Sequence, residues 1–248
     1  MKESLAILIC SCDKYEDVWE PFFHFFHKHW SACPWPIYLM TNTKSYDDHR
    51  IHTINTGEDS DWSTVFLETV NQINSKYLLI LMEDYFLLRP PNERVIGKIA
   101  EYMRQNHISY FRLFPRPGPD TITGEIDGVR FGEITEDSEY RVSLQAAIWD
   151  TDYIRRLVNP GESAWELEVE GTRRSRQMPD RLFSIAWEEE TPIPYLCTAV
   201  VKGYWIKEAV QMCRQNNLEL DLSQRKVEPF YRRWNIQPLI RLMERNGG

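Results

Sequence analysis

Two adjacent acids, Glu83 and Asp84, stand out in this 248-residue sequence because of what precedes them. They follow an apolar run, residues 76–82, whose length and composition are typical of a strand buried on both faces of a parallel sheet. Open α/β sheets bind their ligands at the carboxyl ends of such strands. Because burying an unpaired carboxylate is costly, we expect the pair to face a cleft, a cation or a hydrogen-bond donor. The competing interpretation is an acid pair that holds neighbouring loops together.

A second pair of acids, Glu166 and Glu168, follows Trp165 near the start of a predicted helix. A carboxylate within about 3 Å of a hydroxyl group can take its proton as a general base. The two side chains lie about 200° apart on a helix, so they cannot both face one ligand. For Glu166 there is a competing role in a capping box, because Ser163 lies three residues before it.

Charge and composition narrow the class of function. The formal charge of −8 argues against a broad nucleic-acid-binding face. The aromatic share of 13% suits a carbohydrate or nucleotide surface, although an aromatic-rich core explains it equally well. Five cysteines, an odd number without metal-like spacing, indicate a reducing compartment. The short apolar start predicts neither a signal peptide nor a membrane span, so we expect a cytoplasmic protein.

Strands alternate with helices through the first 115 residues, which predicts a mostly parallel sheet. The predicted strands are 5–10, 36–42, 50–54, 76–82, 108–114, 141–149 and 197–202. The predicted helices are 16–30, 64–73, 92–106, 150–158, one that begins at 163–168, and 206–216. Pro21 suggests a later start for the first helix. The stretch 115–140, rich in Pro, Gly and acids, predicts a loop over the ligand side of the sheet with a small hairpin.

The turn after the first strand, residues 11–15, contains no glycine. Dinucleotide and methyl-donor sites of the Rossmann kind need a glycine-rich turn at that point. The sequence also lacks the G-x-x-x-x-G-K-[ST] motif and the glycine-rich N-terminal loop that is usual in nucleotidyltransferases. What remains is a fold that holds a nucleotide with polar strand ends and a central strand ending in acids.

The order of these elements resembles that of a GT-A-type glycosyltransferase. The sequence D-W-S at 61–63 begins a helix, and the central strand ends in L-M-E-D-Y-F-L at 81–87. The sequence Q-A-A-I-W at 145–149 then precedes a W-E-x-E helix start at 165–168. The chain is particularly similar to bacterial enzymes of surface-polysaccharide assembly, of capsule or O-antigen, that carry an E-D-Y-F strand end. The resemblance covers most of residues 5–205.

This resemblance implies transfer of a sugar from a nucleotide-sugar donor to a saccharide acceptor, with inversion in a single displacement. It implies that Asp84 binds the donor, with Mn²⁺ or Mg²⁺ as a candidate cofactor. The adjacent acids depart from the family's D-x-D motif, and adjacent strand residues point to opposite faces. Metal binding by Asp84 and metal dependence therefore both stay open. The catalytic base is Glu166 or Glu168, and we favour Glu166 for its place in the first helical turn.

The remaining candidates lie at predicted strand ends, helix starts or basic positions. For donor binding they are Ser11, Asp13, Tyr15, Asn42, Asp61, Trp62, Glu83, Arg112, Arg173, Arg176 and Lys202. We expect Tyr15 to stack on the base, Asp13 or Asp61 to accept from uracil or ribose, and an arginine to meet the diphosphate. A solvated basic face is the alternative for the arginines. Trp149 and Trp165 are the acceptor-binding candidates, with core packing the alternative for Trp165.

We therefore predict an α/β fold with a GT-A-like nucleotide-binding sheet flanked by helices. One catalytic domain covers 1–226, with a donor half of about 1–114 and a less regular acceptor half of about 115–226, and a C-terminal helical segment covers 227–248. That segment predicts packing on the domain or a second subunit, or peripheral contact with a membrane carrying a lipid-linked acceptor. The sequence leaves the oligomeric state open. The alternative functions are a non-catalytic carbohydrate-binding or scaffolding module and a nucleotidyltransferase.

Overall fold

The computed structural model describes residues 3–57 and 60–229, which form two compact units. The first, here called the sheet unit, comprises 3–13, 33–57, 60–82 and 92–193. The second, here called the acid-pair unit because it contains Glu83 and Asp84, comprises 14–32, 83–91 and 194–229. The predicted C-terminal helical segment lies outside the described residues from 230 onward. The assignment of a single catalytic domain stays a prediction.

A mixed sheet of nine strands forms the frame of the sheet unit. The strands are β1 (Glu3–Cys10), β2 (Ile37–Thr41), β3 (Ile51–Asn55), β4 (Ser75–Met82), β5 (Ile108–Arg112), β6 (Thr121–Ile126), β7 (Val129–Glu133), β8 (Ala147–Asp150) and β9 (Arg181–Ile185). Their order in the sheet is β3-β2-β1-β4-β8-β5-β9-β7-β6. The pairs β3–β2, β2–β1 and β1–β4 are parallel, whereas β8 runs antiparallel to both β4 and β5. The parallel pairing predicted from the first part of the chain is confirmed for β1 to β4, and β5 and β9 are also parallel.

Strand β4 lies at the centre of this unit, between β1 and β8. Leu78, Leu79 and Ile80 are fully buried, so the strand is covered on both faces, as its unbroken apolar sequence predicts. Strands β1 and β4 end level with each other, because Cys10 pairs with Met82. The polar residues after β1 and the acid pair after β4 therefore follow neighbouring strand ends in the chain.

Four helices belong to the sheet unit, and each begins at a side-chain cap. They are α2 (Trp62–Gln72), α3 (Glu93–Asn106), α4 (Thr151–Leu157) and α5 (Ala164–Ser175). Their caps are Asp61, Asn92, Asp150 and Ser163, whose side-chain oxygens accept hydrogen bonds from first-turn backbone N–H groups. The predicted helices over these segments are confirmed to within two residues at their starts.

The stretch 115–140 contains a hairpin, but one that extends the main sheet, since β7 pairs with β9. Asp127 and Gly128 form its two-residue turn, with φ of 52° and 84°, both in the left-handed region that such turns require. At Gly132 a Cβ atom would come within 1.7 Å of the Thr121 carbonyl oxygen, so the strands approach too closely there for any side chain. The sequence did not predict β9.

The strand predicted over 141–149 is shorter than expected. In its first half, backbone N–H groups donate hydrogen bonds to side chains and not to a neighbouring strand. The backbone N–H of Val142 donates to Thr172 Oγ1 at 3.1 Å, and that of Leu144 donates to Glu168 Oε1 at 2.7 Å. Only Ala147–Asp150 joins the sheet.

The acid-pair unit contains two helices and a small hairpin. They are α1 (Glu16–Trp30), β10 (Val200–Val201), β11 (Tyr204–Trp205) and α6 (Lys207–Gln215). Helix α1 begins at Glu16 and includes Pro21, so the predicted later start is wrong. The strand predicted over 197–202 is wrong in extent, because Lys202 and Gly203, with φ of 50° and 79°, turn the chain back after Val201. Among the described residues, no helix combines the length and apolar character needed to cross a bilayer.

Candidate functional site

The acid pair is deeply placed in its unit. Glu83 and Asp84 directly follow β4 in the chain and are only 6% and 9% exposed. Asp84 Oδ2 accepts hydrogen bonds from Thr198 Oγ1 at 2.5 Å and from the Val200 N–H at 3.2 Å. The Asp84 carbonyl oxygen also accepts from the Ala199 N–H. Asp84 thus fastens the hairpin segment, which is the loop-holding role of the competing interpretation. Among the described residues, side-chain bonds to Asp84 use Oδ2 alone, so Oδ1 takes no part in holding the hairpin.

Glu83 is the less satisfied member of the pair. Its Oε2 atom is buried and has no hydrogen-bond partner among the described residues. Burial raises the pKa of Glu83 well above its ordinary value, and the charge of Asp84 adds to the rise, against the opposing effect of Arg225. Burial also raises the pKa of Asp84, although hydrogen bonds from Thr198 and Val200 oppose it. The pair therefore holds a proton at a pH where an isolated carboxylate has lost it.

Asp17 and Arg225 belong to the same unit and were missed by the sequence analysis. Arg225 Nε lies 2.7 Å from Asp17 Oδ2, and the two side chains are 9% and 7% exposed. The pair is 208 residues apart in sequence, so no local spacing could have linked them. The local sequence offers one signal, the basic pair Arg225 and Lys226 in a segment without helical or strand periodicity.

Two of the predicted donor ligands in the sheet unit, Asp13 and Asn42, hold each other. Asp13 Oδ1 accepts from the N–H groups of Asn42 at 3.0 Å and Lys44 at 3.2 Å, and Oδ2 accepts from Thr43 Oγ1 at 2.6 Å. The Asp13 N–H donates back to Asn42 Oδ1 at 3.0 Å. Burial favours a higher pKa for Asp13, but the bonds from Thr43, Lys44 and Asn42 outweigh it and lower the pKa. A donor ligand would have to displace these bonds. Ser11 beside them is 4% exposed.

The Asp61 carboxylate also accepts hydrogen bonds from groups of the protein itself. Its oxygens accept from Ser63 Oγ at 2.7 Å, from the Thr64 N–H at 2.9 Å and from the Gly161 N–H at 2.8 Å. These bonds lower the pKa of Asp61. They also join the start of α2 to the loop before α5. Trp62 stacks on Phe66 with ring centroids 4.8 Å apart.

Arg112 and Trp149 are not available to a ligand in this structure, which corrects two predicted roles. Arg112 is fully buried, and its guanidinium donates to Tyr110 Oη and to the carbonyl oxygens of residues 117, 140 and 141. Trp149 is also fully buried, and its ring packs against Tyr110 in an edge-on contact at 4.6 Å. Strand β5 places Arg112 beneath the loops rather than at the open edge, so the guanidinium organises backbone and does not meet a diphosphate.

The two candidate bases are both on α5, but they do different things. Glu166 completes the capping box: its Oε2 accepts from the Ser163 N–H at 2.8 Å, which lowers its pKa. Glu168 Oε1 accepts from Ser143 Oγ at 2.9 Å and from the Leu144 N–H at 2.7 Å. Glu168 Oε2 accepts no hydrogen bond in the part of the chain that the structure describes.

Glu168 also lines an open cleft of about 430 Å³ on the sheet unit. The other residues lining it are Glu139, Tyr140, Val169, Thr172, Arg173 and Arg176. Three predicted site residues, Glu168, Arg173 and Arg176, are thus brought together, beside the exposed ring of Tyr140. Arg173 pairs with Glu170 at 2.5 Å. The Arg176 side chain forms no ion pair among residues 3–57 and 60–229.

The remaining candidates are exposed or partly exposed. Trp165 is 67% exposed, which rules out the alternative of core packing in this structure. Lys202 is exposed at the turn between β10 and β11. Tyr15 is half-buried in the acid-pair unit, where Arg225 covers one face of its ring.

The described residues do not by themselves fit a bound divalent cation. No three His, Cys, Asp or Glu side chains within the described ranges converge on a point where a metal ion would sit. Asp84 also commits Oδ2 to two protein donors, whereas Mg²⁺ and Mn²⁺ require several oxygen ligands. The described residues alone therefore provide no catalytic metal centre.

Comparison with known proteins shows similarity in fold. No family model and no curated protein matches the sequence. TarS of S. aureus, residues 1–349, matches with a TM-score of 0.50 at 10% identity, over 76% of this chain and 59% of that chain. The same segment of TarS in complex with UDP-GlcNAc gives 0.48 at 10% identity, over 76% and 57%. A cytidylyltransferase from Leptospira borgpetersenii gives 0.47 at 11% identity, over 92% and 99%. The chain spans less than two thirds of the TarS segment, and the predicted fold class is confirmed.

Proposed function

We propose that the protein is a glycosyltransferase that moves a sugar from a nucleotide-sugar donor to a saccharide acceptor. The observation that carries the proposal is the acid pair, two buried carboxyl groups that directly follow the central strand of a fold shared with TarS. Strand ends of this kind are the ligand side of open α/β sheets. Glu83 Oε2 has no hydrogen-bond partner among the described residues, so it can accept a hydrogen bond from a bound ligand. TarS has been crystallised with UDP and with UDP-GlcNAc, and we extend that donor class to this chain.

For the donor, we assign Asp84 Oδ1 to a hydroxyl group of the nucleoside. Oδ2 remains with Thr198 and Val200, so this carboxylate is held in one orientation while its other oxygen accepts from the ligand. Lys202 follows on the turn of the hairpin that Asp84 fastens, and we assign it to the charge of the leaving diphosphate. A divalent cation carried in by the donor remains part of the proposal but supplies none of these steps.

For the base, we assign Glu168 in preference to Glu166. Glu168 lies in a cleft large enough for a sugar ring, and two protein donors fix Oε1 while Oε2 accepts no bond among the described residues. Glu166 is instead committed to the capping box, since its Oε2 accepts from the Ser163 N–H, a bond that lowers its pKa. The exposed ring of Tyr140 supplies a surface for the face of an acceptor sugar.

The proposed reaction is a single displacement with inversion. The acceptor hydroxyl oxygen forms a bond to the anomeric carbon as the bond from that carbon to the diphosphate oxygen breaks. The hydroxyl proton passes to Glu168 Oε2, and the negative charge leaves on the nucleoside diphosphate. The biological setting we propose is assembly of a surface polysaccharide at the cytoplasmic side of a membrane.

Nucleotide binding is the first test. We would measure the thermal midpoint and, by titration calorimetry, the Kd for UDP, GDP, ADP, CDP and dTDP, each with and without Mn²⁺. The proposal predicts that one of these diphosphates binds and raises the midpoint. No binding by any of them would overturn it and favour a carbohydrate-binding or scaffolding module.

The second test separates the two kinds of transferase. The purified protein would be incubated with the matching nucleotide sugar and a saccharide panel, and the products read by mass. A glycosyltransferase yields a saccharide heavier by one sugar together with the nucleoside diphosphate. Formation of a nucleotide sugar from a sugar and a nucleoside triphosphate, with release of pyrophosphate, would instead identify a nucleotidyltransferase.

A further inference from the structure

Several contacts hold the Arg225 side chain in the acid-pair unit, in addition to a single ion-pair distance to Asp17. The residue is 8% exposed. Its Nε and Nη2 atoms donate to the two oxygens of Asp17 at 2.7 and 2.8 Å, the parallel geometry of a guanidinium fork on a carboxylate. Nη2 also donates to the Lys14 carbonyl oxygen at 3.2 Å. The guanidinium is therefore fixed in both position and plane.

This fixed guanidinium faces aromatic rings. Its Cζ atom lies 4.6 Å from the ring centroid of Tyr15 and 5.8 Å from that of Trp205. A cation over one face of a ring both attracts it and limits its tilt. Tyr15 is half-buried, and Arg225 covers one face of its ring.

The charges around Arg225 do not balance. Asp17 and Glu83 present two carboxyl groups to one guanidinium, since Asp17 is ion-paired with Arg225 and the charges of Glu83 and Arg225 attract each other. Asp84, the neighbour of Glu83 in the chain, adds a further buried acid to the unit. An excess of buried acids disfavours a phosphate group in contact with the cluster. The same acids readily accept hydrogen bonds from neutral hydroxyl groups. A ring surface beside hydroxyl acceptors fits a nucleoside, whose base stacks and whose ribose donates.

We propose that Arg225 is a positioning residue for the nucleoside part of the donor, holding Tyr15 as a stacking surface beside the acid pair without contacting phosphate. The proposal rests on the nucleotide-sugar function proposed above. It differs from a purely structural role in one measurable respect. A structural ion pair sets the stability of the fold, whereas a positioning residue also sets the affinity for the base and ribose, equally in monophosphates and diphosphates.

The test is titration calorimetry with UDP and UMP, or with the corresponding pair for the nucleotide that the diphosphate panel identifies. The variants are Arg225→Lys, which keeps the charge but not the fork, and the double variant Arg225→Gln with Asp17→Asn, which replaces the ion pair by neutral groups of similar size. The matched control is Arg174→Gln. Arg174 also grips one carboxylate with two nitrogens, that of Glu162 at 2.5 and 2.7 Å, and donates to a carbonyl oxygen at 2.7 Å.

The expected result is a rise in Kd of about tenfold in the double variant, by the same factor for UDP and for UMP, since loss of base stacking weakens binding on that scale. Arg225→Lys should recover part of the affinity, and Arg174→Gln should lower the thermal midpoint without changing either Kd. Unchanged affinity in a folded double variant would overturn the proposal. A larger loss for UDP than for UMP would do so as well, because it would place Arg225 on the diphosphate. Failure of the wild-type protein to bind any diphosphate would overturn the proposed function and this proposal together.

Discussion

Replacing Arg112 by Met tests whether this arginine holds the loops that contain residues 117 and 140–141, of which Tyr140 lines the cleft beside α5. The guanidinium is fully buried, and its donors reach Tyr110 Oη at 2.9 Å and three carbonyl oxygens, those of residues 117 and 140 at 2.6 Å and that of residue 141 at 3.1 Å. Methionine fills much of the aliphatic volume but donates no hydrogen bond. Four acceptors therefore lose their partner at once.

The size of the effect follows from those four bonds. Each buried acceptor left without a partner costs about 1–3 kcal/mol, and some of them regain water as the loops relax. Removing the buried charge returns part of its desolvation cost, since no carboxylate of the described residues is a hydrogen-bond partner of Arg112. We expect a loss of about 3–5 kcal/mol in the free energy of unfolding, in the range seen when a buried polar network is broken.

The assay is urea unfolding followed by tryptophan fluorescence, with Arg181→Met as the control. Arg181 is another arginine on a strand of the same sheet, but its side chain is 47% exposed, so its loss should cost less than about 1 kcal/mol. If Arg112→Met changed stability no more than Arg181→Met, the buried network would not be what holds these loops. If Arg112→Lys instead restored full stability, the number and geometry of the bonds would be irrelevant to its role.

Two further predictions concern α5 and α2. In an activity assay with the identified donor, Glu168→Gln should lower kcat by about 10²–10⁴-fold while leaving the thermal midpoint nearly unchanged, because the amide oxygen can still accept from Ser143 and Leu144. Glu166→Gln, which keeps the capping geometry, should retain activity, and the reverse result would make Glu166 the base. Asp61→Ala should lower the free energy of unfolding by about 1–2 kcal/mol at pH 7 through loss of the α2 cap. The pKa of Asp61 is lower in the folded protein than in the unfolded chain, where it is about 4. The stabilisation by Asp61 is therefore present above about pH 4 and should fade as the pH falls below that value. A difference in the free energy of unfolding between variant and wild type that stayed constant down to about pH 2 would contradict this.

The elements that were predictable from sequence have local causes. Neighbouring residues determine the apolar strand β4 and the caps of α2 and α5. Each of these features lies where the sequence predicts it. Strand β9 was missed because it is a five-residue run that carries no turn signal of its own and is defined by pairing with β5 and β7. The shortening of the strand before Trp149 depended on Thr172 and Glu168, which lie a helix away in sequence.

The candidate site was predictable only in part, for the same reason. The positions of Glu83 and Asp84 after β4 followed from the sequence, but the hold of Thr198 on Asp84 spans 114 residues and has no sequence signature. The prediction that Arg112 binds the donor is wrong for a related reason. Its position at a strand end is typical of a ligand-binding residue, but its four hydrogen bonds are to other groups of the protein and cannot be predicted from the sequence. Tyr140 and Arg225 lie in irregular segments, where periodicity gives no indication of direction.

The most direct test of the account is the nucleotide affinity of Asp84→Asn compared with that of the wild-type protein. The asparagine amide oxygen can still accept from Thr198 and Val200, so the variant should fold with nearly the same thermal midpoint. We predict that the wild type binds a nucleoside diphosphate and that Asp84→Asn raises its Kd by about tenfold or more, the scale of losing one charge-assisted hydrogen bond. Equal Kd values for the two folded proteins would show that the acid pair only fastens the hairpin and that the donor site lies elsewhere.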